Sequence, residues 1–208
     1  DVMKYRPKLF VISAPSGAGK TTLVKSLIKR NKNIKYSISY TTRAPRKNEK
    51  NGIDYFFVTV NEFNKLKIKN EFIEFAEVFK NFYATSKRQI KDIIENGNHV
   101  VLEIDWQGAQ QVRNSMPECV SIFIMPPSQS ILRQRLESRE TDDQSTISLR
   151  VHEAKEDMTH WSEFDYCVIN DDLSTAKEEL ESIFLEKNNS NSTKNAKLIK
   201  KIHKILYR

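Results

Sequence analysis

The chain has 208 residues, 38% of them hydrophobic and 29% charged, which suits one α/β domain with a sizeable core and small insertions. Its formal charge of +7 sits in one place: Lys187 to Arg208 holds seven Lys/Arg and no acid, and the rest, with 27 residues of each sign, is neutral, so charge gives no ground for calling the body a nucleic-acid binder. No apolar run approaches the ~18 residues of a membrane span, no leader-like apolar segment opens the chain, and neither the cysteines (Cys119, Cys167) nor the four histidines show metal-ligand spacing. A cytoplasmic protein with buried free thiols and no structural zinc is expected.

In chain order, Leu9–Ser13 reads as a buried strand and Lys20–Arg30 as the helix after it. Tyr36–Tyr40 alternates like a short strand and is followed by a basic turn over 41–52. Tyr55–Val60 is β-rich, Glu62–Lys69 a short helix and Phe72–Phe79 β-like, which together predict a strand-rich insertion at about 37–86. Thr85 or Ser86 can cap a helix that Asn96-Gly97 ends near Glu95. His99–Asp105 is a second buried strand, Gln107 to about Asn114 a helix, and Val120–Met125 a third strand. Ser130–Arg139 and Thr146–Trp161 are helical around a polar gap at Glu140–Ser145. Tyr166–Asn170 is a fourth strand, Leu173–Lys187 a helix and Lys187–Lys194 an Asn/Ser-rich linker. Alternating strands and helices predict a parallel sheet with helices on both faces.

The most telling stretch is Ala14-Pro15-Ser16-Gly17-Ala18-Gly19-Lys20-Thr21, between a strand and a helix. Its glycines let backbone N–H groups turn inward, and the helix N-terminus adds positive charge, so the segment reads as a phosphate cradle. Lys20 can reach the β/γ-phosphates of a nucleotide and the Thr21 hydroxyl can hold Mg²⁺. Ala14 stands where the strict pattern has Gly. Glu103 and Asp105 lie on one side of a strand end expected near the cradle; Asp105 can also cap the next helix, and Glu103 can serve in an ion pair. Two arginine groups, Arg43 with Arg46 and Arg133, Arg135, Arg139 with Arg150, could steady charge on a moving phosphoryl group.

Four segments in order, Ser13–Thr21, Ser39–Arg46, Asn51–Tyr55 and Leu102–Gly108, together with Phe72-Ile73-Glu74, Tyr83-Ala84-Thr85 and Ile169–Asp172, make the chain resemble a guanylate kinase of bacterial type over about residues 7–186. The resemblance implies a P-loop nucleoside monophosphate kinase fold, with a strand-rich GMP-binding insertion and a small helical lid. It implies ATP with Mg²⁺ as phosphoryl donor, GMP and more slowly dGMP as acceptor, and a place in purine nucleotide metabolism. It divides the chain into core (1–36, 87–135 and 161–187), insertion (37–86), lid (136–160) and basic tail (188–208). It assigns Ser16, Gly17, Ala18, Gly19, Lys20, Thr21 and Thr22 to the ATP phosphates and Asn170 to the adenine. Thr21 would hold Mg²⁺, with Asp105 acting through water. Arg43, Arg46, Tyr55 and Tyr83 fall to the GMP phosphate, Ser39, Glu74 and Thr85 to the guanine, and Glu103 and Asp105 to the same acceptor site. Lys20, Arg43, Arg135, Arg139 and Arg150 are implied to be catalytic.

Two positions depart from the family pattern, Ala84 and Glu140, where Gly is usual. Ala84 is expected at negative φ, with activity kept. Glu140 puts the timing of the lid in doubt. Three other readings compete: a guanylate-kinase-like binding module that has lost catalysis, which Lys20 and Thr21 argue against; a ribose-bisphosphate phosphokinase, which lacks the full set Ser39, Glu74 and Thr85; and a nucleic-acid-binding protein, which rests on the basic tail alone. In the tail, Leu198, Ile199, Ile202, Ile205 and Leu206 share one helical face while lysines line the rest. That helix either packs on the body or a second subunit, or meets an anionic surface. Since every matched motif precedes it, the tail is expected to be dispensable for catalysis. The protein is expected to be a monomer or homodimer with no obligate nucleic-acid partner.

Overall fold

The computed structural model describes residues 6–78, 80–138, 143–188 and 190–208. In chain order its elements are β1 (Leu9–Ser13), α1 (Lys20–Arg30), β2 (Ile34–Tyr36), β3 (Tyr40–Thr41), β4 (Phe56–Phe57), α2 (Val60–Ile68), β5 (Phe72–Val78), β6 (Asn81–Ser86), α3 (Lys87–Glu95) and β7 (His99–Glu103). There follow α4 (Trp106–Ser115), β8 (Val120–Met125), α5 (Gln129–Glu137), α6 (Gln144–Met158), a 3₁₀ turn (Trp161–Glu163), β9 (Tyr166–Ile169), α7 (Leu173–Phe184) and α8 (Ala196–Tyr207).

The unbroken apolar runs form a five-stranded sheet of order β2-β7-β1-β8-β9, flanked by helices, with β2 parallel to β7 and β8 parallel to β9. All five residues of β1 are buried, which is why the strand reads as a continuous apolar run rather than an alternating one. Packing divides the chain into two units, one holding the chain up to Val11 with Asn33–Leu102 and Gln107–Cys119, the other Ile12–Lys32, Glu103–Trp106 and Val120–Arg208. No helix among the described residues is long and apolar enough to cross a membrane. Cys119 and Cys167 are buried free thiols, as expected, and burial pushes the Cys167 thiol far up.

The first unit carries a second sheet, β4-β3-β6-β5, in which β6 runs antiparallel to both β3 and β5. Phe63 of α2 and Phe72 of β5 form its small core with Ala84, closed by Tyr40, Val58, Leu66 and Phe82. The expected strand Tyr36–Tyr40 is not one element. Tyr36 ends β2, paired with β7, and Tyr40 begins β3, paired with β4 and β6, so the alternation spans two different sheets. Nor does β character run to Val60: the Thr59 hydroxyl accepts from the Glu62 N–H while the Glu62 carboxylate accepts from the Thr59 N–H, and this capping box starts α2 at Val60.

Two further expectations are corrected at the C-terminal end. The helix over 173–187 stops at Phe184, because Glu186 takes φ +56° and the Glu186 and Lys187 amides turn back to the carbonyls of Ile183 and Ser182. The segment after it is no loose linker. Cys167 N–H donates to the Asn191 carbonyl at 2.9 Å, Thr193 N–H donates to the Asp165 carbonyl at 3.0 Å, and Tyr166 bridges antiparallel to Ser192. The buried Asn191 amide also donates to the Cys167 carbonyl and to Glu179. Its polar composition satisfies a strand margin instead of solvating a tether.

Ala84 lies at negative φ inside β6, opposite Tyr40 on one side and Phe75 on the other, and is fully buried. Its methyl group is part of the packing against Phe63 and Phe72. Ala84→Gly should therefore destabilise the protein by about 1–2 kcal/mol through lost burial and added chain entropy. Chemical denaturation would check this, and an unchanged or raised midpoint would contradict it.

Candidate active site

The loop after β1 has the backbone of an anion cradle. Gly17 and Gly19 adopt φ +87° and +85°, a region that a Cβ disfavours. Space adds to this: a Cβ on Gly17 would lie 3.2 Å from Leu132 and Leu136 of α5, a tight contact, and one on Gly19 would collide with the Asn170 amide nitrogen at 2.4 Å. The Asn170 amide, buried at the end of β9, donates to the Ala18 carbonyl at 2.8 Å. Arg135 makes long contacts of 3.5 Å to the Gly17 and Ala18 carbonyls and a better one of 3.2 Å to the Asn170 carbonyl. The Ala18 N–H donates back to the Pro15 carbonyl at 3.2 Å, and the loop leads into the positive end of α1.

Lys20 opens α1, and its ammonium stands 3.9 Å from Glu103. Burial lowers its pKa, against the attraction of Glu103 and then Asp105. Ser13 donates to the Ile104 carbonyl at 2.6 Å, which ties the ends of β1 and β7 together within the second unit. Thr21, Thr22 and Ser16 are exposed at the loop and the first turn of α1, and Asp105 is exposed beyond β7. A hydroxyl and a carboxylate offer only oxygen donors, the set a hard cation such as Mg²⁺ takes, so these residues fit that ion.

A second ionisable cluster lies beside this one. Trp106 stacks on His160 with ring centroids 3.5 Å apart, and His160 meets Glu163. Asp157, near the end of α6, is pushed from 3.8 up to about 6, chiefly by burial and secondarily by Asp105 and Glu153, while the Trp106 indole and His160 pull the other way.

In the first unit the Arg43 guanidinium is fixed by a two-pronged pair to Glu49, at 2.8 and 3.0 Å, and stands 5.3 Å over the Tyr55 ring. The bond to Glu49 raises the Arg43 pKa, with a smaller part from a bond to Tyr83, and the same pair holds the Glu49 carboxyl down at about 2. Tyr55 and Tyr83 meet edge to face at 6.0 Å. Glu49 also accepts from the Arg46 N–H at 2.8 Å, which leaves the exposed Arg46 side chain on the same turn. Glu74 is buried on β5 and accepts from the Thr85 hydroxyl of β6 at 2.7 Å, a length usual for a hydroxyl donating to a carboxylate. A register shift between Phe72 and Glu74 places these two opposite each other. Ser39 precedes β3, and its carbonyl accepts from Phe56.

Within the first unit, then, Arg43, Tyr55 and Tyr83 come together, as do Glu74 and Thr85. Within the second, Lys20 meets Glu103, and Arg135 meets the cradle and Asn170. Arg150 is half-buried on α6. Arg139 and Glu140 lie outside the described residues. Sequence reasoning missed Glu49, although a lone acid in a basic turn over 41–52 was the available signal. It also missed Leu132 and Leu136 as the surface that crowds Gly17; that signal is three-dimensional only.

Residues 6–187 match the guanylate kinase family model. A guanylate kinase from Hahella chejuensis is 51% identical over 179 residues, 86% of each chain, and one from Pseudoalteromonas translucida is 47% identical over 180 residues, 86% of this chain and 87% of its own. The crystal structure of a guanylate kinase from Anaplasma phagocytophilum superposes with a TM-score of 0.71 at 33% identity, covering 98% of this chain and 97% of its own.

Two outcomes are expected from this geometry. Gly19→Ala combines a strained φ with a collision at Asn170 and should weaken ADP binding by about tenfold or more, read by titration calorimetry. Asp157 has a native pKa above its unfolded one, so the folded protein holds that proton more tightly between about pH 4 and 6, and its stabilising effect fades as pH rises through that window. Asp157→Asn should flatten this slope in unfolding midpoints taken from pH 4.5 to 7.

Proposed function

Since the chain belongs to the guanylate kinase family, and so to the nucleoside monophosphate kinases, we propose that it transfers the γ-phosphoryl group of ATP to GMP, and more slowly to dGMP, in a Mg²⁺-dependent reaction. The observation that carries the guanine reading is the buried Glu74 carboxylate held by Thr85. A carboxylate so placed can accept from guanine N1–H and the 2-amino group, and a hydroxyl such as Ser39 or Thr85 can donate to O6. Adenine has an acceptor at N1 and no 2-amino group, so it would leave Glu74 facing a lone pair, a mismatch worth several powers of ten in rate.

In this reading Arg43, Arg46, Tyr55 and Tyr83 bind the acceptor phosphate. Glu49 keeps the Arg43 fork extended and oriented before substrate arrives, which lowers the ordering cost of binding. The cradle amides and Lys20 bind the donor phosphates, with the adenine beside Asn170. Thr21, and Asp105 through water, would hold Mg²⁺, which neutralises charge across the β- and γ-phosphates when bound. The acceptor oxygen is already ionised near neutral pH, so in-line attack on the γ-phosphorus needs no general base. Lys20, Arg135, Arg139 and Arg150 steady the charge that spreads over the transferring group. Closure of the insertion (37–86) and the lid (136–160) would exclude water that otherwise hydrolyses ATP.

The test is ADP formation from ATP with Mg²⁺ and a panel of GMP, dGMP, AMP, UMP and ribose bisphosphate. GMP should lead by far, dGMP should be slower and AMP near background. Glu74→Gln should lose at least about a hundredfold in kcat/KM for GMP, while Arg6→Gln, outside every motif, stays near the parent. Equal rates with AMP and GMP would sink the guanine assignment.

A further inference from the structure

Residues 188–208 lie beyond the family match, and nothing in the motif order gives them a part in the reaction. The hydrogen bonds do. We infer that this C-terminal segment positions the phosphate cradle, acting through Gln129 on α5 and through β9, and that Gln129 is a positioning residue for donor-nucleotide binding. The inference rests on the reading of the cradle as the ATP site.

Two chains of contact lead from the tail to the loop, both inside the second unit. The first begins at the end of α8. Helix ends leave their last carbonyls without intrahelical donors. Here the Gln129 side-chain amide, half-buried at the first residue of α5, donates to the carbonyls of Ile205 and Leu206 at 3.0 and 2.9 Å. Leu198, Ile202 and Ile205 are buried, so α8 is seated and not frayed at that point. From Gln129, α5 runs to Leu132 and Leu136, the residues nearest Gly17, and to Arg135, which reaches the Gly17, Ala18 and Asn170 carbonyls. The second chain runs through the sheet. Asn191 pairs with Cys167 of β9 and Thr193 with Asp165 just before it, and β9 leads directly into Asn170, whose amide holds the Ala18 carbonyl. One segment therefore braces both groups, Arg135 and Asn170, that fix the cradle carbonyls.

Position rather than bulk stability is at issue, and Gln129→Glu separates the two. A carboxylate at the first turn of α5 favours that helix but cannot donate and repels the carbonyl end of α8. The expected result is a three- to tenfold rise in KM for ATP and in Kd for ADP, with KM for GMP within about twofold of the parent and the protein still folded. Gln129→Lys, which restores a donor to those carbonyls, should recover most of the ATP affinity. Truncation after Lys187 should raise KM for ATP further. Should the truncated chain not fold, the Gln129→Glu and Gln129→Lys pair decides. Gln129→Glu matching the parent in ATP and ADP affinity would overturn the inference, as would equal rises in both KM values. A parent protein that neither binds ADP nor makes GDP would instead overturn the functional reading itself, so the two failures are distinguishable.

Discussion

A loop that offers its amides to an anion must have its carbonyls held by something else. Here that constraint falls on two left-handed glycines and the carbonyl of Ala18, which accepts from the Asn170 amide. Under the proposed function, the donor-phosphate site is thus shaped before any phosphate arrives. Its geometry depends on residues more than a hundred positions away in sequence: Leu132, Arg135 and Leu136 on α5, and Asn170 at the end of β9. Leu132 and Leu136 crowd Gly17, and Asn170 blocks a side chain at Gly19. A preorganised site of this kind avoids reorganisation when charge moves, which is where most of the catalytic effect of a phosphoryl-transfer enzyme lies.

The candidate acceptor residues of the first unit are under the opposite condition. Glu74 is a buried carboxylate on a short sheet with a small aromatic core. Such a group is costly to keep charged, and the hydroxyl bond from Thr85 offsets part of the lost solvation. In the proposed reading, the guanine edge brings two N–H donors to this carboxylate. For Arg43 the charge is already met: Glu49 takes both prongs of its guanidinium and so sets its orientation in advance.

Much of this was legible in sequence. The buried strands β1 and β8 and the helix α1 have the bounds expected of them, because continuous apolar runs and the cradle leave little freedom. The candidate site residues are carried by short motifs, and the structure brings Arg43, Tyr55 and Tyr83 together and pairs Glu74 with Thr85. What stayed hidden depends on pairing between distant segments. Tyr36 and Tyr40 alternate as one strand would, yet they serve two sheets, a division no local period reveals. β6 was not read as a separate strand, since its residues are fixed by β3 and β5 on either side. The Asn-rich stretch after α7 looked like a tether because its polarity suits solvent equally well; its partners on β9 are known only once the sheet is built.

The pairing of residues 191–193 along β9 has one more consequence. β9 is the last strand of its sheet, and a bare outer strand presents a row of amides and carbonyls on which a like strand from another molecule can template. The C-terminal segment takes those places within the same chain and lays a lysine-studded helix after them. Pairing within one chain thus occupies a stretch of outer edge that would otherwise stand open to a neighbouring molecule.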